Sequence, residues 1–311
     1  MPLSLRRSLL LLVAGLLLSH APAALAWGPD GHEMINRLAS ENLPVTVPYF
    51  LRNPNGADVM EWLGPEPDRW RNPAEAALVA EQAPDHFIDL EWADLVGKLP
   101  TRRYDFIRAL SEAQKKHPDL PLTPEKVGMQ PYIVEEIWEK LKVDFRSYRE
   151  QTAAHADTAP VQLAILYDAG WLGHYVGDGS QPLHVSIQYN GWVGPNPHGY
   201  NTGHDIHWKF ESVFVKANVK LSDVAPWVAA SPDTPAADNE WDTYLDYLHH
   251  SHTLVEPLYK LDKTCAFEGA GTPEGKAFVV ERLAAGAIEL RNLIVMAWQQ
   301  SADPVQDPYA K

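Results

Sequence analysis

Apolar residues recur at every third or fourth position near the C-terminal end of the chain, as they do along one face of an α-helix. They are Val280, Leu283, Ala287, Leu290, Ile294 and Trp298. Just upstream, Thr272 offers a capping hydroxyl, Pro273 fits the first turn and Glu274 supplies an early acid. The pattern predicts a long amphipathic helix that begins near residue 273.

Helical spacing also dominates the rest of the chain. Thr123 and Pro124 predict a second helix start, and that helix runs to about residue 151, either continuously or with a break near Pro131. Three further segments have helical patterns: 103–117, 160–177 and 240–261.

Turn-forming residues mark the remaining connections. Gly, Pro and Asn concentrate in residues 52–85 and 186–203, which predicts long loops there. No stretch alternates apolar and polar positions as a half-buried strand does. We therefore predict a single all-α domain, a helical bundle, with a frayed tail from Ser301.

The N-terminal segment has the three-part layout of a secretory signal peptide. Arg6 and Arg7 precede an apolar run over residues 9–18, and the segment ends in small residues up to Ala26. The apolar run is too short to span a bilayer, which takes about 20 such residues. We predict a signal peptide over residues 1–26, cleavage between Ala26 and Trp27, and a mature domain over residues 27–311. The paired arginines leave a twin-arginine route open, and the mature protein is expected to be either periplasmic or secreted into the medium.

Composition narrows the candidate chemistry. The chain has 26 Lys plus Arg against 41 Asp plus Glu, a net charge of −15. A protein this acidic does not bind a polyanion through a basic patch, so a phosphate-bearing ligand would need a local cation, and bound metal could supply it. Cys265 is the single cysteine, which excludes an intrachain disulfide and a thiolate metal site, and we expect it to be a buried or half-buried thiol.

Two pairs of potential metal ligands have the spacing of one helical turn. Residues 174–184 read HYVGDGSQPLH, so that His174 and Asp178 share a helix face. The glycines and proline that follow would turn the chain and let His184 point into the same cavity. His207 and Glu211 repeat the spacing. One such pair alone is commonly a surface ion pair, but two pairs and a third histidine favour a metal site.

These residues belong to a larger set of short motifs. They are WGPDGH at 27–32, DRWR at 68–71, HFID at 86–89, HYVGDGSQPLH at 174–184 and HWKFE at 207–211. In this order and combination, the chain resembles the zinc-dependent phosphoesterases that include the fungal and plant single-strand-specific nucleases and bacterial phospholipase C. The resemblance implies an all-α bundle with a trinuclear zinc cluster in a cleft.

The resemblance also implies a ligand set for three zinc ions. The first ion would take Asp68, His86, His174 and Asp178, and the second would take His184, His207 and Glu211. The third would take His32, a bridging oxygen of Asp178, and the α-amino nitrogen and carbonyl oxygen of Trp27. A free amino terminus and its own carbonyl can close a five-membered chelate ring, so signal cleavage would create this last ligand.

Several residues compete for these roles. His204 lies near His207, but the residue four positions on is Trp208 rather than an acid, so we favour His207 with Glu211. Asp85 and Asp89 flank His86, but Asp68 has an arginine three residues later. The remaining histidines are predicted to be solvated and without a role: His117, His155, His198, His249, His250 and His252.

A cluster of this kind suits phosphate-ester hydrolysis, in which a water held between two zinc ions becomes a hydroxide nucleophile. By resemblance, Asp68 would orient that water and Arg71 would stabilise the transition state. Phe87 would stack on a base and Asp89 would read the edge of that base.

These roles favour one substrate class. The DRWR arginine and the compact WGPDGH spacing are typical of the nucleases, whereas Glu211 is typical of the phospholipases. We predict an endonuclease that prefers single-stranded DNA or RNA, with 3′-nucleotidase activity alongside. Its substrates would be single-stranded nucleic acid or nucleotides, and no stable protein partner is implied. A phospholipase C acting on phosphatidylcholine-type lipids is the first alternative, and a nonenzymatic secreted zinc-binding protein is the second.

Overall fold

Helices account for nearly all of the regular structure. The computed structural model describes residues 27–232 and 239–305 of the chain. Within these ranges there is no strand, and the isolated bridges join Ile88 to Gly128 and Tyr189 to Gly191. The predicted all-α fold is therefore confirmed as one helical domain, while the signal-peptide prediction lies outside the described residues.

The α-helices are numbered in chain order, and 3₁₀ and π segments connect some of them. The helices of the N-terminal half are α1 (Pro29–Glu41), α2 (Tyr49–Arg52), α3 (Pro54–Leu63), α4 (Glu66–Arg69), α5 (Ala76–Gln82), α6 (Leu90–Ala93), α7 (Arg103–Lys116), α8 (Pro124–Val127) and α9 (Gln130–Ala153). Those of the C-terminal half are α10 (Ala159–Ser180), α11 (Ile206–Trp208), α12 (Val215–Asn218), α13 (Leu221–Ala230), α14 (Glu240–Thr253), α15 (Val255–Lys263) and α16 (Pro273–Gln300). The 3₁₀ segments are Ala83–His86, Asp94–Val96 and Pro182–His184, and a π-helical turn covers Lys209–Phe214.

Helix α10 lies at the centre of the bundle, with α1, α3, α9 and α16 packed around it. Every residue from Leu172 to Ser180 is buried. Any polar side chain on that half of α10 is therefore removed from water, and it needs a partner inside the protein.

Gly173 permits the close packing at this point. A Cβ at Gly173 would lie 1.9 Å from Oδ1 of Asn36 on α1. Asn36 in turn donates from Nδ2 to the carbonyl oxygens of Met60 (2.9 Å) and Gly170 (2.8 Å), which ties α1 to α3 and α10. These contacts fix the helices on either side of His174.

The long helices follow the sequence prediction, and the connections only partly do. Helix α16 begins at its expected cap, where the Thr272 hydroxyl accepts from the amide of Gly275. The helix expected from residue 124 is interrupted at residues 128 and 129, near Pro131, which was one of the two predicted alternatives. The helix expected over 240–261 divides at Leu254. Residues 186–203 contain no helix, as predicted.

The predicted loop over residues 52–85 was wrong, because this region forms a series of short helices. The Asn53 side chain accepts from the amide of Gly56, and Pro54 occupies the first turn of α3. The turn-forming residues are thus helix caps and starts rather than loop residues.

The prediction for Cys265 was also wrong. Its thiol is exposed rather than buried, and its backbone adopts a positive φ of 60° just after α15. In the described part of the chain, no helix combines the length and the apolar character needed to cross a bilayer.

Candidate metal centre

Three sets of histidine and carboxylate side chains converge in the interior. The sets are His32 with His174 and Asp178, Asp68 with His86 and His174, and His184 with His207 and Glu211. Within each set, the candidate ligand atoms lie within 4.8 Å of one another. His174 belongs to two sets, so these two form one continuous group. Each set could hold a metal ion.

Separate elements of the fold supply these side chains. Helix α1 contributes His32, α4 contributes Asp68, and the 3₁₀ turn Ala83–His86 contributes His86. Helix α10 contributes both His174 and Asp178, which lie one helical turn apart.

Gln181 creates the sharp turn after α10. Its side-chain oxygen accepts from the amide of Leu183 at 2.6 Å, and its Nε2 donates to Oε2 of Glu211 at 3.1 Å. His184 is thereby brought back towards His207 and Glu211. The sequence prediction gave Gln181 no role, although it lies within the HYVGDGSQPLH motif.

Hydrogen bonds to the backbone set the tautomer of four of the histidines. Nδ1 of His174 lies 2.9 Å from the carbonyl oxygen of Gly64, and Nδ1 of His184 lies 2.6 Å from that of His86. His86 and His207 make the same contact with the carbonyls of Gln82 and Tyr189, each at 2.9 Å. Because a carbonyl oxygen only accepts, Nδ1 carries the proton, and Nε2 is left as the nitrogen that can bind a metal.

The spacing between candidate ligand atoms suits a small divalent ion. Nε2 of His32 and Nε2 of His174 each lie 3.5 Å from a different oxygen of Asp178. Nε2 of His184 lies 3.1 Å from Nε2 of His207, which lies 2.9 Å from Glu211 Oε2. Ligands about 2.0–2.1 Å from a tetrahedral zinc ion are about 3.3 Å apart, close to these values.

Unpartnered polar atoms provide an independent test of fit. The described residues offer no hydrogen-bond partner to these buried site atoms: both ring nitrogens of His32, Nε2 of His86, Nε2 of His174, Oδ2 of Asp68, both carboxylate oxygens of Asp178 and Oε1 of Glu211. Such atoms are costly to bury alone, and several of them here face the same space. Imidazole nitrogens and carboxylate oxygens without thiolates are a donor set that zinc accepts. The residues therefore fit a metal centre.

Burial shifts the pKa values of these groups in a direction that matters for metal binding. It lowers the pKa of His86 to about 3, and it lowers those of His32 and His174 well below the usual range. Burial raises the pKa of Asp68 to about 7, and it raises that of Asp178 far above its usual range. The histidines are thus already neutral at neutral pH, whereas the acids must lose a proton to bind a cation.

His207 and Glu211 shift each other's pKa. Burial lowers the pKa of His207, but the facing carboxylate of Glu211 raises it further, so that the net shift is upward. The pKa of Glu211 is correspondingly lowered, because His207 and His184 outweigh the effect of its burial. Metal binding at Nε2 would compete with protonation of His207 at that nitrogen.

A cavity of about 580 Å³ opens onto this centre. Its wall includes His86, His184 and His207, together with Arg71, Phe87 and Asp89. Nη1 of Arg71 lies 3.5 Å from Oδ1 of Asp68. Burial, followed by the charge of Glu91, raises the pKa of Asp89 to about 8. The predicted catalytic and substrate-binding residues therefore meet in one place.

Trp27 is packed against the same end of α10. Its indole is fully buried, and Nε1 donates to the carbonyl oxygen of Gly177 and to the hydroxyl of Ser180, each at 2.9 Å. A Cβ at Gly31 would lie 2.9 Å from Cβ of Trp27, which explains the second glycine of WGPDGH. The amide of Gly28 donates to the carbonyl oxygen of Glu211. Trp27 therefore lies between two ligand-bearing segments.

The competing candidates lie elsewhere. His204 is exposed, and its Nδ1 contacts the carbonyl of Asn190, whereas His207 is buried within a set. Asp85 and Asp89 join none of the sets found among the described residues.

The histidines of α14 were predicted to be solvated. His249 and His252 are instead half-exposed, and each faces a carboxylate: Nε2 of His252 lies 3.0 Å from Glu91, and Nε2 of His249 lies 3.7 Å from Asp94. The sequence alone could not pair these histidines with Glu91 and Asp94, because more than 150 residues separate the two members of each pair.

Comparison with protein-family models gives no match for this chain, and comparison with curated proteins gives none either. Function has to be inferred from the chemistry of the site itself.

Proposed function

We propose that this protein is a secreted, zinc-dependent phosphodiesterase, and that it acts as an endonuclease on single-stranded DNA or RNA with 3′-nucleotidase activity. One observation carries the proposal. Three buried sets of histidine and carboxylate ligands lie beside a cavity that also contains Arg71. The motifs that resemble the zinc-dependent phosphoesterases supply these same residues, so sequence and geometry support one interpretation.

Three zinc ions are the proposed cofactors. Asp68, His86, His174 and Asp178 would hold the first, and His184, His207 and Glu211 the second. The third would be held by His32, Asp178 and the Trp27 amino terminus that signal cleavage would free. Asp178 suits a shared role because its two oxygens face His174 and His32 separately, at 3.5 Å each.

The chain's own residues would bind and orient the reactants. When bound, zinc lowers the pKa of a coordinated water towards neutrality and offsets negative charge at a phosphate. Asp68 would accept a hydrogen bond from the attacking water and so aim it at phosphorus. Arg71 would donate to the phosphoryl oxygens, where charge grows in the transition state.

The lining of the cavity also suits a nucleobase. Phe87 is half-buried and lines the cavity beside His86, and stacking on an aromatic ring contributes about 1–3 kcal/mol per base with little sequence preference. Asp89 has a raised pKa of about 8, so that its carboxyl is protonated at neutral pH and can both donate and accept hydrogen bonds. Such a group can pair with the edge of a base.

Single-stranded substrates are favoured because the metal ligands are buried below the cavity. His86, His184 and His207 are each 6% exposed or less. A flexible strand can splay its bases and bring a phosphate down to that depth more easily than a stiff duplex can.

The test is a parallel assay of the purified, zinc-replete protein on a single-stranded oligonucleotide, its duplex and phosphatidylcholine vesicles, each with and without chelator. We expect rapid shortening of the single strand, slower cleavage of the duplex, and loss of both with chelator. Release of diacylglycerol without shortening of the oligonucleotide would replace the proposal with a phospholipase C, the class that Glu211 favours. Turnover of none of these substrates by zinc-replete protein would favour a nonenzymatic zinc-binding protein.

A further inference from the structure

Glu91 is a half-buried carboxylate outside the proposed ligand sets, yet it makes several polar contacts. Oε1 accepts from the hydroxyl of Ser186 at 2.6 Å, and Oε2 accepts from the amide of Ile187 at 3.1 Å. Nε2 of His252, on α14, lies 3.0 Å from Oε1. Glu91 thus joins α6 to α14 and to the segment that follows His184.

That segment, residues 184–189, is here called the cavity-wall segment. It begins with His184, Ile187 lines the cavity, and the carbonyl oxygen of Tyr189 at its end accepts from Nδ1 of His207. Beyond His184 it contains no helix or strand, so its position depends on contacts with its neighbours. Two of the three side chains in the His184, His207 and Glu211 set therefore depend on where this segment lies.

We propose that Glu91 and His252 are positioning residues that hold the cavity-wall segment in place and so orient His184 and His207 towards their metal. This inference rests on the metal centre of the proposed function. Neither residue touches the reacting atoms, and their effect passes through Ser186 and Ile187.

The chemistry of the pair suits this role. An ionised carboxylate only accepts hydrogen bonds, and here it meets two donors from the segment. Burial alone would raise the pKa of Glu91, but His252 and Ser186 lower it, so the carboxylate stays charged. Ser186 is fully buried, and its oxygen also accepts from the amide of Gln188, which extends the constraint along the segment.

The chain contains a matched control next to this pair. His249, three residues before His252, faces Asp94, three residues after Glu91. Nε2 of His249 lies 3.7 Å from Oδ1 of Asp94. Neither residue hydrogen-bonds to residues 184–189, all of which the structure describes. Loss of this pair removes a neighbouring, longer histidine–carboxylate contact without freeing the cavity-wall segment.

The experiment measures zinc retained per chain as chelator concentration is raised, for the wild type and for Glu91→Ala, Glu91→Gln, His252→Ala and His249→Ala. Loss of a partner that orients a metal ligand typically weakens metal binding by about 10–100-fold. We expect Glu91→Ala to lose one ion at about 10-fold lower chelator, with His252→Ala shifted in the same direction by less. Glu91→Gln should recover part of the loss, because its amide oxygen still accepts from the segment. His249→Ala should match the wild type.

Two results would overturn the inference: unchanged zinc retention in both Glu91→Ala and His252→Ala, or an equal loss in His249→Ala. Melting curves of the metal-free proteins show whether each variant folds. If Glu91→Ala does not fold, the comparison of His252→Ala with His249→Ala still tests the inference, because both histidines are half-exposed. A wild type that keeps its zinc but cleaves no phosphodiester would refute the proposed function alone, and the retention comparison would still decide this inference.

Discussion

Two populations of histidine in this molecule lie close to carboxylates at similar distances, but their surroundings differ. At the metal centre, His174 is fully buried, its Nδ1 contacts a backbone carbonyl, and its Nε2 faces Asp178 at 3.5 Å. On α14, the side chains of His249 and His252 are 42% and 32% exposed, and each faces a single carboxylate. Burial, rather than spacing alone, distinguishes the candidate ligands, and four of their five histidines also have a backbone acceptor.

The two kinds of histidine–carboxylate contact also differ in their effect on stability. An ion pair reached by solvent contributes about 0–1 kcal/mol to the stability of the fold. A buried carboxylate such as Asp178, with no donor for either oxygen among the described residues, is costly to ionise without a cation. The interior groups could therefore be stabilised by a bound cation, whereas each α14 histidine already has a carboxylate partner.

Metal removal should have the largest effect on stability and on hydrolysis. It should act through the buried metal centre and not through the α14 pairs. Each ion present at about 1,000 times its Kd stabilises the fold by about 4 kcal/mol. For a chain of this size, we expect chelation to lower the melting temperature by more than about 10 °C and to abolish hydrolysis. Differential scanning calorimetry with and without chelator measures the shift, and re-addition of zinc should reverse it. An identical melting curve after verified metal removal would contradict the comparison.

Arg71→Ala should separate catalysis from metal binding. The loss of one preorganised donor to a developing negative charge typically lowers turnover by about 10²–10³-fold. Because Arg71 is not a proposed ligand, zinc content should remain at the wild-type value. The matched control is Arg69→Ala, since Arg69 is partly exposed, stacks on the ring of Trp62 at 4.2 Å and does not line the cavity.

Steady-state kinetics and elemental analysis of the same preparations decide the point. A metal-depleted Arg71→Ala protein would assign Arg71 to the structure of the centre instead of to the reaction.

The pH dependence of zinc binding should reveal which ligands carry protons in the metal-free protein. Asp68 has a pKa raised to about 7, so its proton must leave when zinc binds below that pH, whereas His86, at about 3, is already neutral. The affinity of this set should fall by about tenfold for each pH unit below about 7, per proton displaced. Above that pH, the Asp68 contribution should level off.

Isothermal titration of the metal-free protein in two buffers of different ionisation enthalpy counts the protons released. Asp68→Asn should release fewer protons at pH 6, since the amide has none to lose. Equal proton release by wild type and variant at that pH would show that another group titrates.

Much of the fold could be predicted from the sequence, because the long helices have repeating apolar faces and recognisable starts. Thr272 and the apolar face that follows located α16. The short helices of residues 54–82 were missed because each has too few turns for a periodic pattern, and packing against the rest of the bundle stabilises them. The exposed Cys265 was missed because nothing in a single cysteine reports its accessibility.

The candidate site, too, could be predicted from the sequence only in part. Spacing along one helix could associate His174 with Asp178, and it could favour His207 over His204. It could not reveal that carbonyls of Gly64, Gln82, His86 and Tyr189 set the imidazole tautomers, because those partners come from other segments. The contact of Glu91 with His252 was hidden for the same reason, and so was the position of Trp27 against Gly177.

The smallest effect is expected at His204, which tests whether exposure alone removes a histidine from the site. His204 is three residues from His207, but it is exposed, and its ring contacts the carbonyl of Asn190 through Nδ1. Asn190 also accepts from the amide of His207 through Oδ1, at 3.4 Å. His204→Ala should therefore leave zinc content unchanged and alter the free energy of unfolding by no more than about 0.5 kcal/mol, as exposed substitutions usually do. Elemental analysis and denaturant titration measure both quantities, with His207→Ala, expected to lose one ion, as the positive control. A missing ion in His204→Ala would mean that Asn190 transmits the change to His207, or that His204 itself binds metal, and the exposure criterion would fail.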